Sequence, residues 1–277
     1  MQGSGGSERE RERVKENTMK ESGKENQRKV IAMAGKGGTG KTTLTALMVK
    51  LLSQSGCRLL AVDADPPISL TYALGAEPKN TLGELRARLI ENPREKREIG
   101  DRHIREVILE QAVTHHRGVD LLILGQSEGP GCFCGVNELL KFGIESLARQ
   151  YDIILIDCEA GIEQINRRVI SRLDTLILVS DATVKGLRTA VYLKDIAEKY
   201  GVEQEYRIGL VLNRVLNGAA DLQEKARTMG LDFLGLIPSD ENVADYDRLG
   251  LPTTDLPDDS PSVLAVRRIL TGLGLAS

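Results

Sequence analysis

Nine residues, Gly35 to Thr43, constrain this chain more than any other stretch. They read Gly-Lys-Gly-Gly-Thr-Gly-Lys-Thr-Thr, follow the aliphatic run 29–34 and precede the helix-forming segment 41–54. The pattern is G-x-x-x-x-G-K-[ST] in the strand–loop–helix setting that such a loop needs. Glycines at 35, 37, 38 and 40 let successive backbone N–H groups point at one anion, and the helix start adds partial positive charge there. A loop of this kind holds phosphates, here with Gly35, Gly37, Gly38, Thr39, Gly40, Lys41, Thr42 and Thr43. Lys41 then reaches the β and γ phosphates, and Thr42 gives its hydroxyl to Mg²⁺. A glycine-rich turn matching by accident is the competing reading. Ordinary residue usage produces such a match on the order of one time in a hundred chains of this size.

Seven short aliphatic runs, at 29–34, 58–62, 119–124, 151–156, 175–180, 206–212 and 233–237, read as strands covered on both faces, since none alternates with period two. Helical segments at 41–54, 81–92, 136–150, 187–200, 222–229 and 262–270 fall between and after them. Alternation of this kind predicts an α/β fold: a doubly wound, mostly parallel sheet with helices on both faces, binding ligands beyond the carboxyl ends of its strands. Residues 30–277 fit one such domain, and residues 1–29, with eight basic and six acidic side chains, read as a disordered charged tail or an added extension.

Composition excludes several functions. Thirty-seven basic against forty acidic residues leave a net charge of −3, without the cationic excess that grips nucleic acid. Six Tyr, three Phe and no Trp leave few platforms for stacking bases. No apolar run reaches the roughly 18 residues of a membrane span, so a cytoplasmic chain is expected, without membrane contact. Four cysteines, at 57, 132, 134 and 158, are too sparse for a disulfide scaffold and point to metal or redox chemistry if they have a special role.

Lys36, a second lysine inside the phosphate loop, resembles the signature of the deviant Walker A ATPases. These include the Min and Par positioning ATPases, the nitrogenase iron protein, the arsenite pump ATPase and metal-insertion ATPases. The resemblance implies a homodimer in which Lys36 contacts the partner's nucleotide and stabilises phosphoryl transfer. It also makes Asp65 the residue that orients or deprotonates the attacking water, with Asp63 helping the Mg²⁺ shell, in the loop after the second run. Asp157, closing the run 151–156, resembles Walker B joined to a switch segment ending at Gly161, and would hold Mg²⁺ through water. Taken singly, each aspartate is a turn residue or helix cap; together, each after its own strand, they fit one Mg·ATP site. Asn213 and Arg214 after the sixth run, and Pro238 after the seventh, are similar to the family's adenine-side loops, where the Asn213 amide presents both donor and acceptor.

Cys132 and Cys134 stand one residue apart in a glycine-rich loop after the third run. Zn²⁺ and other ions that favour sulfur want about four donors, and a symmetric dimer would supply two from each copy. Buried apolar cysteines or a redox pair are the alternatives. The C-x-C together with the deviant phosphate loop and the Asp-x-Glu-Ala-Gly switch resembles most closely the CooC family, which helps install nickel in carbon monoxide dehydrogenase, and its relative AcsF, which serves acetyl-CoA synthase. That resemblance spans roughly residues 30–270 and implies a dimer-interface site for Zn²⁺ or Ni²⁺ at Cys132 and Cys134, a nickel enzyme as client, and slow ATP hydrolysis. Cys158 and Pro67 depart from the pattern. Two rivals remain: a positioning ATPase that uses segment 263–270 as an amphipathic membrane helix, and an iron–sulfur reductase, for which a second cysteine should lie several residues beyond Asp157. A small-molecule kinase is a weaker option. His103, His115 and His116 read as part of a solvated helix face.

Overall fold

The computed structural model describes residues 28–92, 104–126, 134–162, 169–202, 205–216 and 218–275. The charged tail, apart from Arg28 and Lys29, lies outside them, and so do Cys132 and His103. Lys29–Ala34 (β1) is the centre of an eight-stranded sheet ordered β3-β4-β2-β5-β1-β6-β7-β8. The remaining strands are Leu59–Ala64 (β2), Val113–His116 (β3), Val119–Ile123 (β4), Ile153–Cys158 (β5), Thr175–Asp181 (β6), Arg207–Val215 (β7) and Asp232–Pro238 (β8). All pairings are parallel except β3 with β4. The doubly wound expectation is thus met, because runs of Val, Ile and Leu can be buried only where both faces are covered.

The two faces follow from the period-two geometry of β1. Ile31 and Met33 face a core layer built with Lys41–Ser53 (α1), Ser69–Leu74 (α2) and Pro261–Gly272 (α9). Val30, Ala32 and Ala34 face the other layer, with Leu82–Glu91 (α3), Ile104–Gln111 (α4), Cys134–Leu147 (α5), Val184–Tyr200 (α6) and Ala220–Thr228 (α7). Glu241–Leu249 (α8) runs along the surface between β8 and α9 and buries no residue fully. In α9, Val263, Ala265, Val266, Ile269 and Leu270 are buried, packed on β8 and α1. The apolar stripe read as a possible membrane helix is therefore spent on the core, and among the described residues no helix is long and apolar enough to cross a membrane.

Two features depart from the sequence reading. His115 and His116 lie on the edge strand β3, not on a helix face. β3 has only four residues, two of them histidine, and is held by its antiparallel register on β4 and by a two-residue turn, Arg117–Gly118, with φ of +45° and +81°. Local propensity carries no signal for so short and polar a strand. The short helices α2 and α8 are likewise absent from the sequence pattern, since each depends on a carboxylate cap and on packing rather than on a long periodic stretch.

Candidate nucleotide site

β1, β2 and β5 end side by side, which brings three loops together at the carboxyl edge of the sheet. The first is the glycine loop. Gly35 (φ +151°) exchanges backbone hydrogen bonds with Gly161, N to O at 3.3 Å and 2.9 Å in the two directions. A Cβ on Gly35 would lie 2.3 Å from the Val179 carbonyl oxygen, so only glycine fits this approach. Gly40 (φ +89°) is the N-cap of α1, and the first helical bond is Leu44 N to Gly40 O at 3.0 Å. The amides of Lys41, Thr42 and Thr43 precede that bond and have no intrahelical acceptor, as an anion site requires. Thr39 and Lys41 are buried, while Lys36, Gly37 and Gly38 are exposed.

The second loop follows β5. Asp157 is fully buried; its Oδ1 accepts from the Thr45 hydroxyl at 3.4 Å. Among the described residues its buried Oδ2 has no partner. Burial pushes this carboxyl up to about 6, against the opposing pull of the nearby Thr42 hydroxyl and of Lys41. An oxygen-only set with one orphaned carboxylate oxygen suits a hard divalent cation such as Mg²⁺. Thr45 has no motif to mark it in the sequence, although its i+3 spacing from Thr42 puts both hydroxyls on one side of α1.

The third loop follows β2. Asp65 is half-buried, raised by desolvation and pulled back by Lys41. Asp63 differs from its expected Mg²⁺ role. Its Oδ2 accepts from Leu70 N at 3.0 Å, Thr71 N at 3.3 Å and the Thr71 hydroxyl at 3.3 Å, and its Oδ1 accepts from Asp65 N at 3.3 Å. Both oxygens are committed to starting α2 and shaping the Asp65 loop. Burial, then the neighbouring Asp157 charge, push Asp63 up to about 7.

Beside the glycine loop lies a cavity of about 180 Å³ lined by Thr43, Leu47, Asn213, Arg214, Pro238 and Asp240, among others. Asn213 is buried, and its Nδ2 donates to the Thr39 carbonyl at 2.8 Å. Asp240 pins the far wall: its carboxylate accepts from the Ser260 and Ser262 hydroxyls, both at 2.6 Å, from Ser262 N at 2.9 Å and from Asn242 N at 3.0 Å. Burial works to raise this carboxyl, but those hydrogen bonds hold it below its ordinary value. The meeting of residues 240, 260 and 262 has no local sequence signal, because it depends on α9 returning to the sheet.

Cys134 is the first residue of α5. Cys158 is fully buried, and desolvation, then the Asp157 charge, push its thiol up. Cys57 is half-buried, with its Sγ 3.5 Å from the Leu52 carbonyl. His115 contacts Asp120 and His116 meets the Leu74 carbonyl at 3.0 Å, both remote from the glycine loop in a cleft at the opposite edge of the sheet. Among the described residues, no three His, Cys, Asp or Glu side chains gather into a metal-binding group.

A glycine loop between a central parallel strand and a helix, flanked by strand-terminal aspartates, defines a P-loop nucleoside triphosphatase. Residues 30–253 match the CobQ/CobB/MinD/ParA nucleotide binding domain family (CbiA), and the chain belongs to that family. It is 36% identical over 87% of its length to an uncharacterized ATP-binding protein of Methanocaldococcus jannaschii, covering 96% of that protein. It is 31% identical to the carbon monoxide dehydrogenase accessory protein CooC of Rhodospirillum rubrum, over 82% of this chain and 89% of that one. The septum site-determining protein MinD of Pyrococcus horikoshii, solved with Mg-ADP, superposes with a TM-score of 0.64 at 27% identity, covering 88% of this chain and 95% of that one. The protein is thus an ATP-binding ATPase of the MinD/ParA/CooC type.

Proposed function

We propose that the protein is an ATP-hydrolysing metallochaperone that captures Zn²⁺ or Ni²⁺ between two copies and assists nickel insertion into carbon monoxide dehydrogenase or acetyl-CoA synthase. Cys132 and Cys134 of each copy supply the four sulfur donors. One topological observation carries this reading. Ile123, the last residue of β4, is in register with Asp63, and Leu124 N donates to the Asp63 carbonyl at 2.8 Å. The segment that bears both cysteines thus follows a strand that ends on the nucleotide edge, next to the Asp63 loop and two strands from the Asp157 loop. Similarity to CooC supports the same reading.

In the nucleotide cycle, the amides of residues 40–43 and Lys41 hold the phosphates. Thr42 and Asp157 would hold Mg²⁺, which would supply positive charge to offset the charge that develops on the phosphates. Asp65 orients the attacking water. Lys36 reaches the partner's nucleotide, so ATP draws two copies together and hydrolysis lets them relax. The Gly35–Gly161 bridge joins the phosphate loop to the segment after Asp157, giving the γ-phosphate a route to that switch.

Equilibrium dialysis with Zn²⁺ or Ni²⁺ tests the proposal. With ATP and Mg²⁺ under reducing conditions, the wild type should hold about one ion per dimer. The Cys132→Ala, Cys134→Ala double variant should hold none while ATP affinity stays within about twofold. Undiminished metal in that variant would sink the carrier role. A second reading, a MinD-like positioning switch, is favoured by the similarity to solved MinD structures, and predicts ATP-dependent dimers that bind no metal.

A further inference from the structure

The loop after β2 carries two consecutive prolines, Pro66 and Pro67, followed by a left-handed residue that is not glycine. Ile68 has φ of +54° and ψ of +36°, a region that a β-branched side chain rarely enters. A residue held there is strained, and it persists only where its surroundings fix it. Hydrogen bonds on both sides do so. The Asp65 N–H donates to Asp63 Oδ1 at 3.3 Å. The Ile68 N–H donates to the Asp65 carbonyl at 3.0 Å, closing a turn with Pro66 and Pro67 at its centre. Just beyond, the Leu70 and Thr71 N–H groups donate to Asp63 Oδ2, at 3.0 Å and 3.3 Å.

Those bonds require the chain to leave β2, change direction and start α2 over Asp63 within a few residues. Proline locks φ near −65°, so neither Pro66 nor Pro67 can supply a left-handed step. A residue that precedes proline is also kept toward extended backbone, which restricts Asp65 and Pro66. With three consecutive residues so limited, the change of direction falls on Ile68, the first that is free to take it. The Ile68 side chain packs against the core layer of α1, α2 and α9, which offsets the strain. Pro67 is itself exposed, so its ring acts on conformation and adds little packing. Asp65 is thus held, half-buried, where Lys41 acts on its charge.

We infer that Pro67 is a positioning residue for Asp65, acting through the left-handed step that it forces on Ile68. The backbone on both sides of Asp65 is set in the nucleotide-free chain, so the carboxylate does not have to find its place during hydrolysis. The inference rests on the assignment of Asp65 to the attacking water and adds what aims that carboxylate, since small misplacements of a catalytic group cost rate steeply. It also gives a use to a proline that departs from the CooC pattern.

Single-turnover ATP hydrolysis by the full chain with Mg²⁺, with ATP affinity measured separately by calorimetry, tests this. Pro67→Ala frees φ at 67 and ψ at 66, so the change of direction can be shared and Ile68 can relax. Hydrolysis should slow about tenfold while ATP affinity stays within about twofold. Hydrogen exchange at the Ile68 amide should quicken about tenfold in the nucleotide-free variant, a local change that a general loss of stability would not confine to this loop. Ile68→Gly keeps the N–H and takes the positive φ without strain, so it should hydrolyse ATP within about threefold of wild type. Wild-type hydrolysis or unchanged Ile68 exchange in Pro67→Ala overturns the inference, as does a loss in Ile68→Gly equal to that in Pro67→Ala. Asp65→Asn separates the two claims. If it is inactive while Pro67→Ala is fully active, only the Pro67 role falls; if it hydrolyses ATP normally, the role of Asp65 falls and takes this inference with it.

Discussion

Asp63 and Asp157 stand opposite each other in register on the adjacent parallel strands β2 and β5, and both are fully buried. Burial first, then their mutual charge at Asp63, raise the two carboxyls to about 7 and about 6 from an ordinary value of 3.8. At intermediate pH the folded chain therefore keeps protons that the unfolded chain has released. Stability of the nucleotide-free protein should be highest toward about pH 4–5 and decline as pH rises through the raised values. Asp240, whose carboxyl is lowered, contributes stability that is lost only below its ordinary range and does not reverse the trend above about pH 5. Melting temperatures between about pH 5 and 8 check this, and Asp63→Asn should flatten the slope. A melting temperature that climbs over that interval contradicts the assignment.

Asp157→Asn removes a buried charge whose Oδ2 has no partner among the described residues. The nucleotide-free variant should be as stable as the wild type or more so at about pH 8, where the wild-type carboxylate is ionised. The same change should weaken Mg²⁺-dependent ATP binding at least about tenfold. Denaturant melts and titrations with and without Mg²⁺ report the two effects, and equal ATP affinity in Mg²⁺ would remove Asp157 from the ion.

Gly35 and Gly161 share a backbone bridge but tolerate change differently. A Cβ on Gly35 would meet the Val179 carbonyl oxygen at 2.3 Å, and backbone cannot swing aside. A Cβ added at Gly161, where φ is +97°, would meet nothing within 4 Å among the described residues. Gly35→Ala should cost about 3 kcal/mol and abolish nucleotide binding, whereas Gly161→Ala should cost only about 1–2 kcal/mol of backbone strain. Urea melts giving the reverse order would refute the geometry.

Lys36 is exposed, and its side chain makes no hydrogen bond or ion pair among the described residues. Lys36→Gln should therefore leave stability unchanged to within about 0.5 kcal/mol. If the side chain acts across a dimer, the variant should remain monomeric with ATP in light scattering, and an ATP-dependent dimer of normal affinity would end that role.

The apolar side of α9 is packed into the core, so sedimentation with anionic liposomes should be no greater with ATP than without. ATP-dependent co-sedimentation would favour the positioning-switch reading over the metal carrier.

Much of this site is legible in the chain. The glycine loop, Lys41, Thr42 and Asp157 are local patterns, each tied to the end of one aliphatic strand, and the aliphatic runs of β1, β5 and β6 lie in the core as their composition implies. His115 and His116 escape such reading because a four-residue edge strand exists only through its partner β4. The role of Asp63 escapes it because the donors to its carboxylate, Leu70 and Thr71, reach it only once α2 folds back over β2. Thr45 and Asp157, 112 residues apart, meet for the same reason.

By itself the sequence determined the sheet, its central phosphate loop and the identity of the groups at the strand ends, because backbone geometry and hydrophobic period act over a few residues. Only the tertiary structure decided which way those groups point. The bond that ties Asn213 to Thr39, and the commitment of Asp63 to α2, arise where distant segments must share one buried space and every polar atom there needs a partner.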